Sequence, residues 1–356
     1  MEDLIVTYID KEGKERECVV DEEETTLDLS RKGITSINLE TVVAIPELKE
    51  LDLGGNALQE IDLSPLTKVT SLEKLILFKN QFKTINLNPL VKCGNLEELN
   101  LGANQLSSID LKPLSSVQNF RRLRLFNNGL RKIDLKPLEK CVNLEALEIE
   151  NNDVASIDLQ PLTGCVNLLQ LNLMYNQLTE IDLAPISNCT KLKFLYLHHN
   201  QIRTIDLSPL ASCSDFRILR LGSNAIEEID LSPLSSCLEL RRLGLAMNGL
   251  LRLDLSPLSE MDKLSSLDIA GNHLVEIDLS HLENCEELTE LYLFSDHPEE
   301  NEFEKLDISA LFNCDELEDL GVSEYTILQA NKKLQDEDDI PLAIEELIEQ
   351  NRIEWV

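Results

Sequence analysis

The chain repeats one pattern of apolar and polar positions every 24 residues. Each copy contains a short stretch in which apolar and polar residues alternate, for example Leu171–Asn172–Leu173. An alternation with a period of two predicts a β-strand with one buried face. Because the pattern returns from copy to copy, the sequence predicts a solenoid of stacked turns.

An asparagine follows the second leucine of the strand in ten successive copies. Identical turns leave the same backbone groups without partners, and an asparagine amide both donates and accepts hydrogen bonds. We therefore predict a structural asparagine ladder formed by Asn56, Asn80, Asn104, Asn128, Asn152, Asn176, Asn200, Asn224, Asn248 and Asn272.

The segment after the asparagine has the consensus Ile-Asp-Leu-x-Pro-Leu, which predicts a turn into a short helix. A small polar residue often precedes the proline, as in Ser64–Pro65 and Ser208–Pro209. This arrangement predicts a serine N-cap followed by proline at the first helical position.

The aspartate of this consensus forms a second column, in which Asn38 and Asn86 replace it in two copies. The choice lies between Ca²⁺ ligands and acceptors for backbone amides, and the asparagines and the missing glycine-rich turns favour backbone acceptors. The column consists of Asp62, Asp110, Asp134, Asp158, Asp182, Asp206, Asp230, Asp254, Asp278 and Asp307.

These motifs resemble the leucine-rich repeat family, in its 24-residue repeat class, from Thr25 to about Tyr325. The resemblance implies an α/β repeat solenoid, a leucine-rich repeat horseshoe with parallel strands on its concave face and short helical or extended convex segments. Counting copies from Leu27 to Leu320 predicts about 13 strands. The pattern places Asp296 at an asparagine position and a five-residue insertion within 296–305.

The repeat leaves a segment at each end that could cover the exposed core of a solenoid. Residues 1–24 are predicted to form a β-hairpin cap, 25–325 the repeat array, and 326–356 a helical cap. The predicted C-terminal helix begins at Ile340–Pro341, and its apolar stripe consists of Leu342, Ile344, Leu347 and Ile348. Alternatively, this tail is a partner-binding helix.

The net charge and the cysteine content indicate which classes of partner and which cellular compartment to expect. The net charge of −33 opposes general nucleic-acid binding. The start Met1–Glu2–Asp3 predicts no signal peptide, and no segment is apolar enough to predict a membrane span. Eight of nine cysteines share one repeat position, which Val69 fills elsewhere, so we predict buried free thiols and a cytoplasmic, monomeric protein.

Catalytic chemistry has little support in the sequence. The adjacent pair His198–His199 has no cysteine or carboxylate at ligand spacing, and His297 falls in the insertion. No phosphate-binding loop or distinctive nucleophile is present. We predict a protein that is not an enzyme and that uses no metal and no cofactor.

Aromatic and arginine side chains are concentrated at the strand positions that should face the concave surface. This composition is typical of protein-binding hot spots, although strand propensity and Arg–Glu pairing are alternative explanations. The predicted partner-binding residues are Arg122, Arg124, Phe126, Met174, Tyr175, Phe194, Tyr196, His198, His199, Ile218, Arg220 and Arg242.

The predicted function is a non-enzymatic protein-interaction module, that is, a scaffold, adaptor or inhibitor. Its partner is a protein of unknown identity, with no nucleic acid and no membrane. The alternative is a regulator of an enzyme such as a small GTPase, in the manner of an activating protein, or of a phosphatase.

Overall fold

The structure is a computed structural model, and it describes residues 4–21, 23–45, 47–295, 300–337 and 340–356. It divides into two units, Met1–Gln177 and Leu178–Val356, which we call unit 1 and unit 2. In both units, short parallel strands alternate with 3₁₀ helices at the spacing of the sequence repeat. The domain boundaries at residues 24 and 325 remain predictions.

Unit 1 begins with an antiparallel pair, β1 (Leu4–Asp10) and β2 (Glu15–Val20), and β4 (Ile34–Ile37) joins β1. Its parallel sheet contains seven strands in chain order: β3 (Thr26–Asp28), β5 (Glu50–Asp52), β6 (Lys74–Ile76), β7 (Glu98–Asn100), β8 (Arg122–Arg124), β9 (Ala146–Glu148) and β10 (Gln170–Asn172). Its 3₁₀ helices are Val42–Ala44, Ser64–Lys68, Asn88–Lys92, Lys112–Ser116, Lys136–Lys140 and Gln160–Leu162.

Unit 2 continues the same alternation with six parallel strands: β11 (Phe194–Tyr196), β12 (Ile218–Arg220), β13 (Arg242–Gly244), β14 (Ser266–Asp268), β15 (Glu290–Tyr292) and β17 (Asp319–Gly321). Strands β16 (Lys305–Asp307), β18 (Ile327–Ala330) and β19 (Ile353–Trp355) form a separate sheet. The 3₁₀ helices of unit 2 are Ala184–Ile186, Ser208–Leu210, Ser232–Ser236, Ser256–Leu258, Leu279–Leu282, Ser309–Asn313 and Lys332–Asp336. The thirteen repeat strands confirm the predicted number and the predicted fold class.

The core consists of the repeat's apolar positions. Leu171 and Leu173 flank Asn172 in β10, and both leucines are fully buried. Neighbouring strands keep these leucines in register, as Leu171 lies beside Leu147. Each leucine therefore packs on its equivalent from the next turn, which explains why the sequence period is so strict.

The asparagine ladder is confirmed. Asn176 donates from Nδ2 to the carbonyl oxygens of Ile149 and Leu173, both at 3.1 Å. Its Oδ1 accepts the backbone N–H of Val154 at 3.1 Å. One amide thus satisfies groups of its own turn and of the preceding turn, so the asparagines connect the turns as well as closing them.

The ladder continues beyond Asn272, but not through the predicted residue. Asp296, like His297, lies outside the described residues, and Asn301 takes the ladder position instead. Asn301 accepts the N–H of Leu274 at 3.0 Å and donates to Leu293 O at 2.7 Å. Eight residues separate Asn301 from Leu293, whereas three separate Asn176 from Leu173. The extra residues therefore precede the ladder position, and the prediction that Asp296 fills it was wrong.

The aspartate column accepts backbone amides, as predicted. Asp62 Oδ1 accepts the N–H of Ser64 at 2.9 Å, and Asn86 makes the same bond to Asn88. The predicted serine N-cap was wrong, because Ser64 is already the first residue of its 3₁₀ helix and makes no side-chain capping bond. The aspartate two residues earlier supplies the acceptor instead.

The C-terminal helix α1 (Leu342–Glu349) departs from its predicted stripe at Leu342, at Ala343 and at Ile348, which is half-buried. It buries Ala343, Ile344 and Leu347, whereas Leu342 is 52% exposed. The residues that follow α1 form strand β19, which pairs with β18. Among the described residues, no helix is long and apolar enough to cross a membrane.

Candidate functional site

The predicted partner-binding residues all lie on exposed or half-buried positions of the sheet face, in two groups. We call the group in unit 1 the unit 1 surface; it contains Arg122, Arg124, Phe126, Met174 and Tyr175. We call the group in unit 2 the unit 2 surface; it contains Phe194, Tyr196, His198, His199, Ile218, Arg220 and Arg242. The two surfaces differ in how their charges are compensated.

The arginines of the unit 1 surface are paired with glutamates of neighbouring turns. Arg124 bonds to Glu98 and also to Glu148, whose carboxylate lies 3.2 Å away. Arg122 reaches Glu145 at 3.0 Å and Glu98 at 3.8 Å. Arg–Glu pairing was the alternative explanation that the sequence left open for these arginines. Because both guanidinium groups already bond to glutamates, they are less available to bind a partner.

Aromatic rings in unit 1 lie where glycine removes a side chain. A Cβ atom on Gly102 would lie 2.5 Å from the ring of Phe126, so this ring occupies the space above the glycine. The centroid of Phe126 is 5.7 Å from that of Phe78. Beyond Phe78, Gly54 and Gly55 line a cavity of about 390 Å³.

Glu150 follows strand β9, and its carboxylate forms no ion pair within 4.0 Å among the described residues. Its Oε2 atom is buried and has no hydrogen-bond partner among the described residues. Burial, helped by the charge of Glu148, raises the pKa of Glu150 to about 7, and a hydrogen bond from its own backbone N–H and the charge of Arg124 oppose this increase. The sequence alone could not show that Arg124 is already paired with Glu98 and Glu148.

The unit 2 surface begins with a row of rings. Phe194 and Tyr196 stack with centroids 6.5 Å apart, and His198 meets Tyr196 edge-on at 6.3 Å. His199 lies 5.5 Å from His198. Their spacing follows from the strand, because residues two apart point to the same face.

These rings are uncharged near neutral pH. Burial, together with the charges of the neighbouring His199 and Arg220, lowers the pKa of His198 to about 4. Burial also lowers the pKa of His199 and raises the pKa of Tyr196. The row therefore presents neutral aromatic area with a few polar atoms at its edge.

Two arginines border this row. Register places Arg220 beside Tyr196 and Arg242 beside Ile218. The Arg220 side chain lies over Gly244, where a Cβ would be 2.8 Å from its Cδ. Within the described ranges, neither arginine has a carboxylate oxygen within 4.0 Å, unlike those of unit 1.

A floor of small residues separates the ring row from a second aromatic group, Tyr292 and Phe294. The floor consists of Gly222, Gly244, Ala246 and Ala270, and the half-buried Asp268 lies between Gly244 and Tyr292. Burial raises the pKa of Asp268, and the charge of Arg220 opposes this increase. A Cβ on Gly222 would lie 2.9 Å from the carbonyl oxygen of Ala246, so glycine is required for this close approach. Sequence reasoning missed the floor, although small residues at exposed strand positions of adjacent copies were a usable signal.

The arrangement favours binding over catalysis. Among the described residues, no group of histidine, cysteine, aspartate and glutamate side chains could hold a metal ion. Neutral rings, small floor residues and unpaired guanidinium groups together suit apolar and anionic groups of a large ligand.

Comparison with known proteins agrees with the repeat geometry. A family model described as leucine rich repeat matches residues 25–82 and 142–202. The structure resembles a leucine-rich repeat protein of Leptospira interrogans with a TM-score of 0.74 at 20% identity, covering 89% of this chain and 80% of that chain. The fold is a leucine-rich repeat solenoid.

Two further leucine-rich repeat structures are similar. An internalin, InlF, of Listeria monocytogenes matches with a TM-score of 0.63 at 26% identity, covering 86% of this chain and 90% of that chain. The ectodomain of the Arabidopsis thaliana membrane receptor kinase GASSHO1/SCHENGEN3, in complex with CASPARIAN STRIP INTEGRITY FACTOR 2, matches with a TM-score of 0.71 at 22% identity. That match covers 85% of this chain but 36% of the receptor chain. No curated protein sequence matches this chain.

Proposed function

We propose that this protein is a non-enzymatic protein-interaction module, that is, a scaffold, adaptor or inhibitor, and that it belongs to the 24-residue class of leucine-rich repeat proteins. The unit 2 surface is the proposed binding site for a protein partner. The observation that carries this proposal is the pair Arg220 and Arg242, which border neutral rings and have no ion pair in the described ranges.

Packing does not explain the composition of the unit 2 surface. The buried leucines on the opposite side of the same strands already fill the core, for example Leu195 and Leu219. Residues at the exposed strand positions are free to vary without cost to that core. Rings and unpaired arginines at those positions therefore point to a partner, since such residues dominate the binding energy of protein interfaces.

The charge distribution also describes the partner. Arg220 and Arg242 favour a carboxylate-bearing residue near the edge of the site, and the rings of Phe194 and Tyr196 favour an apolar side chain at its centre. A protein supplies both groups in one segment. Nucleic acid is disfavoured by the net charge of −33. The similar plant receptor, which is in complex with a named factor, supports binding by this fold.

We also propose that the protein acts as a monomer in the cytoplasm. All nine cysteines are free, and eight are buried. A repeat array that carries so many thiols suits a reducing compartment.

The test is a quantitative pull-down with the purified chain and three variants. The first carries Phe194→Ala and Tyr196→Ala, the second carries Arg220→Ala, and the control carries Tyr325→Ala, which removes an 84% exposed ring of unit 2 away from this surface. We expect proteins retained by the wild type and the control to be lost by the first variant and reduced by the second. Thermal melting should be nearly unchanged in all three, as surface changes usually cost less than about 0.5 kcal/mol.

The same pull-down can also contradict the proposal. If the same proteins are retained by the Phe194/Tyr196 variant and by the wild type, the unit 2 surface is not the binding site. Retention of RNA in place of protein would contradict the proposed class of partner.

A further inference from the structure

The carboxylate of Glu150 lies in an apolar part of the unit 1 surface. The backbone carbonyl oxygen of Glu150 accepts the N–H of Asn127 at 2.9 Å. In the next turn, the backbone carbonyl oxygen of Met174 accepts the N–H of Asn151 at 3.0 Å. Phe126 and Met174 are thus the residues at the equivalent position in the turns on either side. Neither neighbour supplies a hydrogen-bond donor from its side chain.

The nearest cation does not compensate this carboxylate. Arg124 attracts it over a distance, but the Arg124 guanidinium already bonds to Glu98 and to both oxygens of Glu148. The Glu150 Oε2 atom remains buried and without a partner among the described residues. A buried acceptor with no donor is costly, and a glutamine or methionine would fill the same position at lower cost.

We propose that the unit 1 surface binds a lysine or arginine side chain of a protein partner through the carboxylate of Glu150. This inference rests on the proposed function, because it adds a second contact to the same kind of partner.

Charge and geometry select this occupant. A cationic side chain supplies the opposite charge for the Glu150 carboxylate, which forms no ion pair within 4.0 Å among the described residues. A metal ion would need further ligands, and no such group exists in the described part of the chain. The net charge of −33 increases the rate at which basic segments reach the surface.

The pH dependence should identify the group. Burial and the charge of Glu148 raise the pKa of Glu150 to about 7, against a hydrogen bond from its own backbone N–H and the attraction of Arg124, so the carboxyl is substantially protonated at pH 6. Only the ionised form pairs with a cation. Cation binding should therefore strengthen between about pH 6 and pH 8 and should lower the pKa of Glu150.

The experiment uses the full chain and a synthetic Leu-Lys-Leu-Lys-Leu peptide with blocked ends. Its matched probe is the same peptide with both lysines acetylated. Affinities are measured by calorimetry at pH 8 for the wild type, Glu150→Gln and the control Glu139→Gln. The control removes the same charge from an exposed position of the 3₁₀ helix Lys136–Lys140.

We expect the wild type to bind the lysine peptide about tenfold more tightly than the acetylated one, a factor equivalent to one charged contact. Glu150→Gln should lose this preference, and Glu139→Gln should retain it within about twofold. Carboxyl NMR should show the pKa of Glu150 falling as the lysine peptide is added. Equal affinity of wild type and Glu150→Gln for the lysine peptide would overturn the inference, as would an unchanged Glu150 titration.

The two experiments distinguish a failure of this inference from a failure of the proposed function. The peptide experiment depends on Glu150 alone, whereas the pull-down depends on Phe194, Tyr196 and Arg220. Loss of retained proteins by the Phe194/Tyr196 variant together with unaltered peptide binding by Glu150→Gln would overturn only the inference.

Discussion

At the scale of single residues, the asparagine ladder shows why one side chain recurs while its neighbours vary. The amide of Asn176 bonds to backbone groups of two turns, among them Val154 N–H and the carbonyls of Ile149 and Leu173. The adjacent Tyr175 is exposed, and other turns carry Lys79, Ala103 or His199 at this position, although the φ of Tyr175, 52°, places it in the left-handed region. The need to bond the backbone groups therefore restricts the residue type at the Asn176 position far more than the left-handed conformation restricts it at the Tyr175 position.

Asn176→Ala should lower the free energy of unfolding by about 1–3 kcal/mol, because it leaves buried backbone groups without partners. Chemical denaturation of the full chain would measure the loss. Tyr175→Ala is the matched control at the neighbouring position and should change stability by less than about 0.5 kcal/mol. Equal losses in both variants would mean that the ladder bonds contribute little.

Glu150 gives a second prediction at this scale, in which removing a charge stabilises the fold. Its folded pKa is raised to about 7, so the unfolded chain loses the proton at lower pH than the folded chain does. The resulting penalty is absent below the unfolded pKa, grows as the pH rises, and is complete above about pH 7. Glu150→Gln should therefore raise stability by about 1–2 kcal/mol at pH 8, after allowance for partial exposure, and should have little effect at pH 4.

Melting temperatures measured between pH 4 and pH 8 would test this dependence. The exposed control Glu139→Gln should show no comparable change with pH. A Glu150→Gln variant that is less stable than the wild type at pH 8 would show that the carboxylate has a stabilising partner.

At the scale of elements, most of the 3₁₀ helices begin at a turn that an aspartate stabilises, and Asn86 takes this role before the helix Asn88–Lys92. Asp182 Oδ1 accepts the N–H of Ala184 at 2.9 Å, at the start of the helix Ala184–Ile186. The serine that follows some aspartates adds a bond, and it contributes to the lowered pKa of Asp206 and Asp230. Such lowered pKa values stabilise the fold above the unfolded pKa, and this contribution is lost as the pH falls through the folded pKa.

Asp182→Ala should cost about 0.5–2 kcal/mol, as the loss of a side-chain acceptor at a helix start typically does. Asp182→Asn keeps the acceptor and should cost less than about 0.5 kcal/mol. Thermal melting in the presence and absence of millimolar Ca²⁺ completes the test, and we expect only a small general effect of ionic strength. A large increase in melting temperature with Ca²⁺ would show that the column binds the ion.

At the scale of the whole molecule, charge and thiols follow from repetition. One aspartate and one cysteine position per turn, multiplied along the array, contribute to the net charge of −33 and to eight buried cysteines. Burial raises the pKa of Cys93 and Cys237 to about 11, and that of Cys285 to about 12. Such thiols are protonated and shielded at neutral pH.

The folded protein should therefore react with a thiol-labelling reagent only at Cys18, which is partly exposed in β2. After denaturation, all nine cysteines should be labelled. Intact mass spectrometry under non-reducing conditions reads both states. Disulfides between neighbouring turns, or labelling of Cys189 at the rate of Cys18, would contradict the burial of the column.

The sequence by itself determined the repeat, its strands, the role of Asn176 and the role of Asp182. These features depend on backbone groups that recur at a fixed spacing, so each copy confirms the assignment made from the others. The same information failed where a single copy departs from the pattern, as at Asn301 and Leu342.

Only the tertiary structure decided which side chains remain available for a partner. Arg124 and Arg220 occupy the same repeat position, yet Arg124 is held by Glu98 and Glu148, whereas Arg220 lies over Gly244. Glu150 is uncompensated because Arg124 is already engaged. Such pairing depends on side-chain directions and on residues one turn away, about 4.8 Å across the sheet but 24 residues along the chain. The order of residue types along the chain does not show which side chains lie this close together in space.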